Sequence, residues 1–190
     1  MKLMNKPIWL LCLMFLISAS TLCYAEHSSF EKMGVVPPKI SKPAPDFVAK
    51  DLKGQSVTLS DFRGKVILLN FWATWCAACR EEMASMQSLY SSLQGDGLEV
   101  LAVSIDRWNE DRVRKYVKDS NLTFGVLLDQ NQKVRKQYHV MSLPTSYLID
   151  GNGNIRGYAS GARAWDSHDS KNLFLSLKND DLPTDRLSLR

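Results

Sequence analysis

The chain has 190 residues, 45% of them hydrophobic and 23% charged, which are globular proportions and exclude a disordered or collagen-like polymer. That length accommodates one ordinary domain with a short appendage. Setting aside Lys2 and Lys6 with residues 1–25 leaves 22 of the 24 basic residues against 20 acidic ones, too even a balance for the basic face that a nucleic-acid partner requires.

Residues 1–25 read as an export signal. Lys2 and Lys6 precede the apolar run Ile8–Ile17, small and polar residues Ser18–Thr21 follow, and Cys23-Tyr24-Ala25 resembles a cleavage site before Glu26. An uncleaved N-terminal membrane anchor is the alternative, because Ile8–Ala25 is just long enough to cross a thin bilayer. Residues 26–42 are expected as an extended leader, since Pro37-Pro38 and the following Pro43 and Pro45 disfavour helix. The folded domain is expected over 43–179. It begins with strands Phe47–Ala49 and Ser56–Leu59 around a Lys53-Gly54 turn. The apolar run Val66–Trp72 follows, as a strand buried on both faces.

Cys79, Met83, Met86, Tyr90 and Leu93 recur at helical spacing and predict one buried face of a helix over 77–93, closed by Gly95-Asp96-Gly97. A second buried strand is expected over Leu98–Ile105, a helix over Asn109–Ser120, a strand over Thr123–Leu128 and a short helix over 131–138. Strands Thr145–Ile149 and Ile155–Tyr158 flank the turn signal Asp150-Gly-Asn-Gly and predict an antiparallel hairpin. Leu173, Phe174 and Leu177 mark a final helix, and the polar residues 180–190, with Pro183, a flexible C-terminal tail. Strands alternating with helices and a closing hairpin predict an α/β three-layer sandwich around a mixed sheet.

Removal of residues 1–25 takes Cys12 and Cys23 with it and leaves only Cys76 and Cys79, in a compartment where thiols meet oxidants. A bond between them closes so small a loop that it constrains the unfolded chain little, which points to redox chemistry rather than a staple. Cys76 stands where a buried strand meets the start of a helix, whose free N–H groups and partial positive charge stabilise a thiolate. Cys76 is therefore the expected attacking sulfur. Cys79, one turn later and less exposed, is placed to resolve a mixed disulfide. Structural zinc would need four ligands, and His27, His139 and His168 lack ligand spacing. Covalent haem would need His at position 80, which is Arg. An inert disulfide in a chaperone or binding module remains open.

Residues from about 43 to 160 resemble the thioredoxin fold in its TlpA/ResA/CcmG-like branch. The match is carried by Pro43-x-Pro45-x-Phe47, Leu59-x-Asp61-x-x-Gly64-Lys65, Asn70-Phe-Trp-Ala-Thr-Trp-Cys76 through Cys79, and Pro144-Thr145-x-x-Leu148-Ile149-Asp150. The resemblance implies a thioredoxin-like sandwich with an N-terminal β-hairpin extension and a cis-Pro loop at Pro144. It also implies a periplasmic thiol–disulfide oxidoreductase, soluble or tethered to the inner membrane. Such a protein would keep client cysteines reduced, often those of apocytochrome c, with electrons from a membrane thiol carrier. No metal or organic cofactor is implied beyond the cysteine pair.

By the same resemblance Leu143, before the cis proline, offers backbone groups to an extended client, and an acidic residue of the branch matches Glu82. Glu82 follows Cys79 by three positions on the helix, so a partly buried carboxylate there would carry a raised pKa and shuttle a proton for Cys79. Glu81 is expected in solvent, and Trp75 at the surface that meets clients. Three positions depart from the branch: Ala78 replaces a proline before the second cysteine, Met83-Ala84 replaces another, and Ser142 stands where glycine is usual. A thiol peroxidase shares the Pro43–Gly64 segment, but would need Thr at position 73, which is Ala.

Overall fold

The computed structural model describes residues 29–179. The expected export signal and C-terminal tail lie outside the described residues. In chain order the strands are β1 (Lys42–Pro43), β2 (Val48–Asp51), β3 (Ser56–Thr58), β4 (Val66–Trp72), β5 (Leu98–Ser104), β6 (Gly125–Leu128), β7 (Thr145–Ile149) and β8 (Asn154–Ser160). After a helical turn at residues 29–32, the helices are α1 (Ala77–Leu93), α2 (Glu110–Asp119), α3 (Lys133–Gln137) and α4 (His168–Asn179), with single 3-10 turns at Leu59–Phe62 and Gln94–Asp96. One sheet takes the strands in the order β1-β8-β7-β4-β5-β6-β2-β3. β4, β5 and β6 run parallel, while β7, β8 and the β2–β3 hairpin pair antiparallel on either side of them.

All seven residues of β4 are buried, as an apolar run at the middle of a sheet covered on both faces must be. Alternation then sorts its side chains. Val66, Leu68 and Trp72 face a layer built from α1, α2 and α4, whereas Ile67, Leu69 and Phe71 face Phe47, Leu59, Val134 and Tyr138 on the other side. Three layers result, with a mixed sheet in the middle. The α1 stripe is broader than expected: Leu89 and Glu82 are buried with Cys79, Met83, Met86 and Leu93, while Tyr90 is half-buried against the edge of Phe124. Glu81 is exposed. Gly97 stops the α1 segment at a φ of 90°, a conformation that glycine takes without steric cost.

The segment expected as an extended leader is docked instead. Residues 29–32 are helical, Val36 bridges to Tyr158 on β8, and Phe30, Met33 and Val35 join the core beneath α1 and α4. A Cβ on Gly157 would stand 2.5 Å from Val35 Cγ1, so a bare backbone at that position is what lets the segment lie on β8. Arg163 fastens it further, donating to the carbonyls of Met33 and Gly34 at 2.8 and 3.1 Å. No helix among the described residues is long and apolar enough to cross a membrane.

Candidate active site

β4 delivers the chain to the site, and a buried acid fixes how it arrives. Asp106, just past β5, accepts hydrogen bonds from Thr74 N at 2.9 Å, Thr74 Oγ1 at 2.6 Å and Ser104 Oγ at 2.9 Å. Arg80 Nη1 donates to Thr74 O at 2.7 Å, which ties the first turn of α1 to the same residue. Neither Thr74 nor Asp106 is singled out by the sequence.

Cys76 is the N-cap of α1, with extended backbone angles, and its Sγ accepts from Cys79 N at 3.2 Å. The expected pair is joined as a disulfide, with 5.3 Å between the Cα atoms. Exposure differs between the two sulfurs as anticipated, Cys76 being half-buried and Cys79 fully buried. An N-cap sulfur faces the unpaired N–H groups of the first turn, the place where a thiolate is best stabilised. Trp75, immediately before it, is 60% exposed, whereas Trp72 is completely buried.

The Leu143–Pro144 peptide bond is cis. Its loop is fastened to the end of β8 by Gly161 N donating to Pro144 O at 2.9 Å and by the Ser142 and Ser160 hydroxyls 2.9 Å apart. The departure from glycine at Ser142 therefore adds a tether. Cys76 and Leu143 both border the two hydrophobic clusters, which brings the proline loop to the end of β4 that carries the cysteines. Among the described residues the backbone N–H and C=O of Leu143 make no hydrogen bond.

Glu82 is 2% exposed. Asn70 Nδ2 donates to its Oε1 at 2.8 Å, and Arg163 N and Trp165 Nε1 both donate to Oε2 at 3.1 Å. Burial lifts its pKa above the usual carboxylate value, and these donors, with the Arg163 charge, offset the rise only in part. Asn70 also donates to Ser146 on β7 at 2.9 Å, so β4, β7, α1 and the loop after β8 meet around one carboxylate. An asparagine inside an otherwise apolar strand was the sequence signal for this cluster. The hydrogen bond from Arg163 comes from its backbone N–H, which leaves no trace in residue identity.

The model of the AhpC/TSA family matches residues 40–158. The chain is 37% identical over 154 residues to the thiol-disulfide oxidoreductase ResA of Bacillus cereus (strain ATCC 10987 / NRS 248), covering 80% of this chain and 86% of that protein. It is 38% identical over 148 residues to the ResA of Geobacillus kaustophilus, covering 77% and 83%. Among solved structures, a Chlorobium tepidum protein described as the thiol:disulfide interchange protein DsbE superposes with a TM-score of 0.68 at 31% identity, over 74% of this chain and 98% of that one.

Proposed function

The chain belongs to the AhpC/TSA family and is a protein thiol–disulfide oxidoreductase, and from that premise we propose that it is exported and reduces client cysteines, as cytochrome c maturation requires, through a Cys76/Cys79 cycle. The observation that carries this reading is the asymmetry of the pair: Cys76 half-buried at the helix cap, Cys79 fully buried one turn behind it. In the dithiol state the Cys76 thiolate attacks a client disulfide, forming the mixed disulfide and expelling one client thiolate, which takes up a proton. Cys79 then loses its proton and attacks Cys76 Sγ. The second client sulfur leaves as a thiol, and the protein is left as the disulfide. Two electrons have passed to the client, and a membrane thiol carrier returns them. The cysteine pair is the whole redox group, with no metal or further cofactor.

Glu82 takes the proton from Cys79 in the second step. Its raised pKa brings the carboxylate toward that of a thiol, which makes the transfer less uphill. Trp75 and the unengaged backbone of Leu143, beside cis-Pro144, hold the client strand across the sulfurs. A thiol peroxidase is disfavoured because position 73 is Ala and the neighbouring Thr74 hydroxyl is committed to Asp106.

The deciding measurement is the midpoint potential of the pair in defined thiol buffers, read by alkylation. A value near or below roughly −220 mV supports a reductant, whereas one near about −120 mV overturns that direction of electron flow. Trapping assigns the sulfurs: Cys79→Ser should accumulate a mixed disulfide with an oxidised client and Cys76→Ser should not. Export is checked by cell fractionation and by mass spectrometry of the mature N-terminus, which cleavage would place at Glu26.

A further inference from the structure

At the carboxyl ends of the parallel strands β4, β5 and β6, where open sheets of this kind receive ligands, lies a cleft of about 300 Å³. Trp75 borders it, and Arg107, Arg112 and Arg135 line it together with Asp106 and Gln132. Positive charge in the cleft is not balanced from within. The Asp106 carboxylate is buried and already filled by Thr74 and Ser104. Arg135 is half committed, with Nε on Val140 O and Nη1 on Gln132 Oε1. The guanidinium groups of Arg107 and Arg112 are exposed and make no hydrogen bond or ion pair with any described residue. Glu110 is engaged by Arg114, and neither it nor Asp111 lines the cleft.

A second observation points to a ligand at the same place. Trp108, between Arg107 and the lining residue Asn109, has a φ of 61° and is 89% exposed. A bulky L-residue enters the left-handed region only at a cost, and an indole held in water recovers none of it. Strain of this sort persists where a binding surface needs it. Among the described residues, Trp75 and Trp108 thus present two solvent-facing indoles, with the guanidinium groups of Arg107 and Arg112 unpaired, on the side of α1 that carries Cys76.

We propose that this cleft seats an acidic stretch of the client polypeptide, an Asp or Glu side chain within a few residues of the cysteine under attack. The inference rests on the oxidoreductase reading and adds the substrate class. Arg107 and Arg112 take the carboxylate through paired N–H donors, a geometry that a guanidinium offers and an ammonium does not. Trp108 covers the adjoining peptide. A polypeptide fits better than a small anion because the cleft adjoins the sulfurs through Trp75. A chain docked by its own sulfur on Cys76 carries its neighbouring residues past the arginines.

The test uses three disulfide-containing peptides of equal length that differ only in Glu, Gln or Lys beside the cysteine. Each is mixed with reduced protein in single turnover, and the second-order rate constant is read from thiol alkylation. At low salt the Glu peptide should react about tenfold faster than the Gln peptide and the Lys peptide slower still, with the spread collapsing near about 0.5 M salt. Arg107→Glu with Arg112→Glu, exposed positions without partners to lose, should invert the order. Equal rates for the three peptides, or an order unchanged in the double variant, would overturn the cleft while leaving the oxidoreductase intact. No reaction with any peptide would overturn the oxidoreductase reading and the cleft with it. Glutathione disulfide reacting faster than the Glu peptide in an arginine-dependent way would overturn the polypeptide occupant in favour of a small anionic disulfide.

Discussion

Two carboxylates are buried around the chain that delivers Cys76, and their surroundings differ in kind. Asp106 is filled by donors from only two residues, Thr74 just past the end of β4, 32 positions away, and Ser104 at the end of β5, two positions away. Glu82 takes its donors from residues 12, 81 and 83 positions away in sequence. Two hydroxyls and an amide from the neighbouring ends of β4 and β5 make Asp106 a brace: they hold the strand end in place, and with it the helix cap. Glu82 is assembled by the whole fold, and burial leaves its charge the more costly form. One acid fixes where the sulfurs stand; the other is free to change protonation beside them.

The comparison breaks first at Asp106. Asp106→Ala leaves the Thr74 amide and two hydroxyls buried without an acceptor, and should cost about 3 kcal/mol in urea unfolding. Asp106→Asn keeps one oxygen and should cost less. If Asp106→Ala unfolds like the parent protein, the brace is not one.

Glu82→Gln probes the other acid with almost no change of shape. Asn70 Oδ1 has no partner among the described residues, so a turn of the Asn70 amide can offer that oxygen to the new NH2 group. Stability should change by no more than about 1 kcal/mol. The second chemical step should slow by about 10²-fold, as loss of a positioned proton acceptor does. The readout is decay of the mixed disulfide in stopped flow, and an unchanged decay would reduce Glu82 to packing.

Acidity gives a second probe of Glu82. A raised pKa means that the folded protein binds the Glu82 proton more tightly than the unfolded chain does. The stability it contributes is full below its ordinary value of 4.5 and is lost as pH rises through the elevated value. The unfolding free energy of the oxidised parent, minus that of Glu82→Gln, should therefore fall as pH rises above 4.5 and through the elevated value. A difference that stays flat or rises over this window contradicts the burial argument.

Much of this was readable in the sequence because it follows from periodicity and from residues with few conformational options. The run Val66–Trp72, the stripe on α1, the Asp150-Gly-Asn-Gly turn and the Cys76/Cys79 pair at a helix start all carry their own local physics. What escaped depends on surfaces meeting. Prolines at 37 to 45 report an extended chain but say nothing of Phe30, Met33 and Val35, which dock because Gly157 leaves room on β8. A near-neutral overall balance says nothing of three arginines carried by a loop and two separate helices into one cleft. The Glu82 cluster was half legible: Asn70 stands out in an apolar strand, whereas Trp165 is one more aromatic until the fold points its N–H at a carboxylate.

That N–H gives the finest test. Trp165 is fully buried, packs against Phe174, and loses only its hydrogen bond in Trp165→Phe apart from some volume. Removing one of the three donors to Glu82 should cost about 1 kcal/mol at a pH above the raised value, where the group is a carboxylate and most in need of them. It should cost less in acid, where the group is protonated. The Glu82 pKa should move further up, because a contact that favoured the charged form is gone while burial remains. The same change made in Glu82→Gln should show a smaller penalty, since a neutral acceptor gains less from an N–H than a charged one does. A double-mutant cycle in urea reads this directly. Equal penalties in the two backgrounds would mean that Trp165 acts through packing alone, and that Glu82 is held by Asn70 and the Arg163 amide without it.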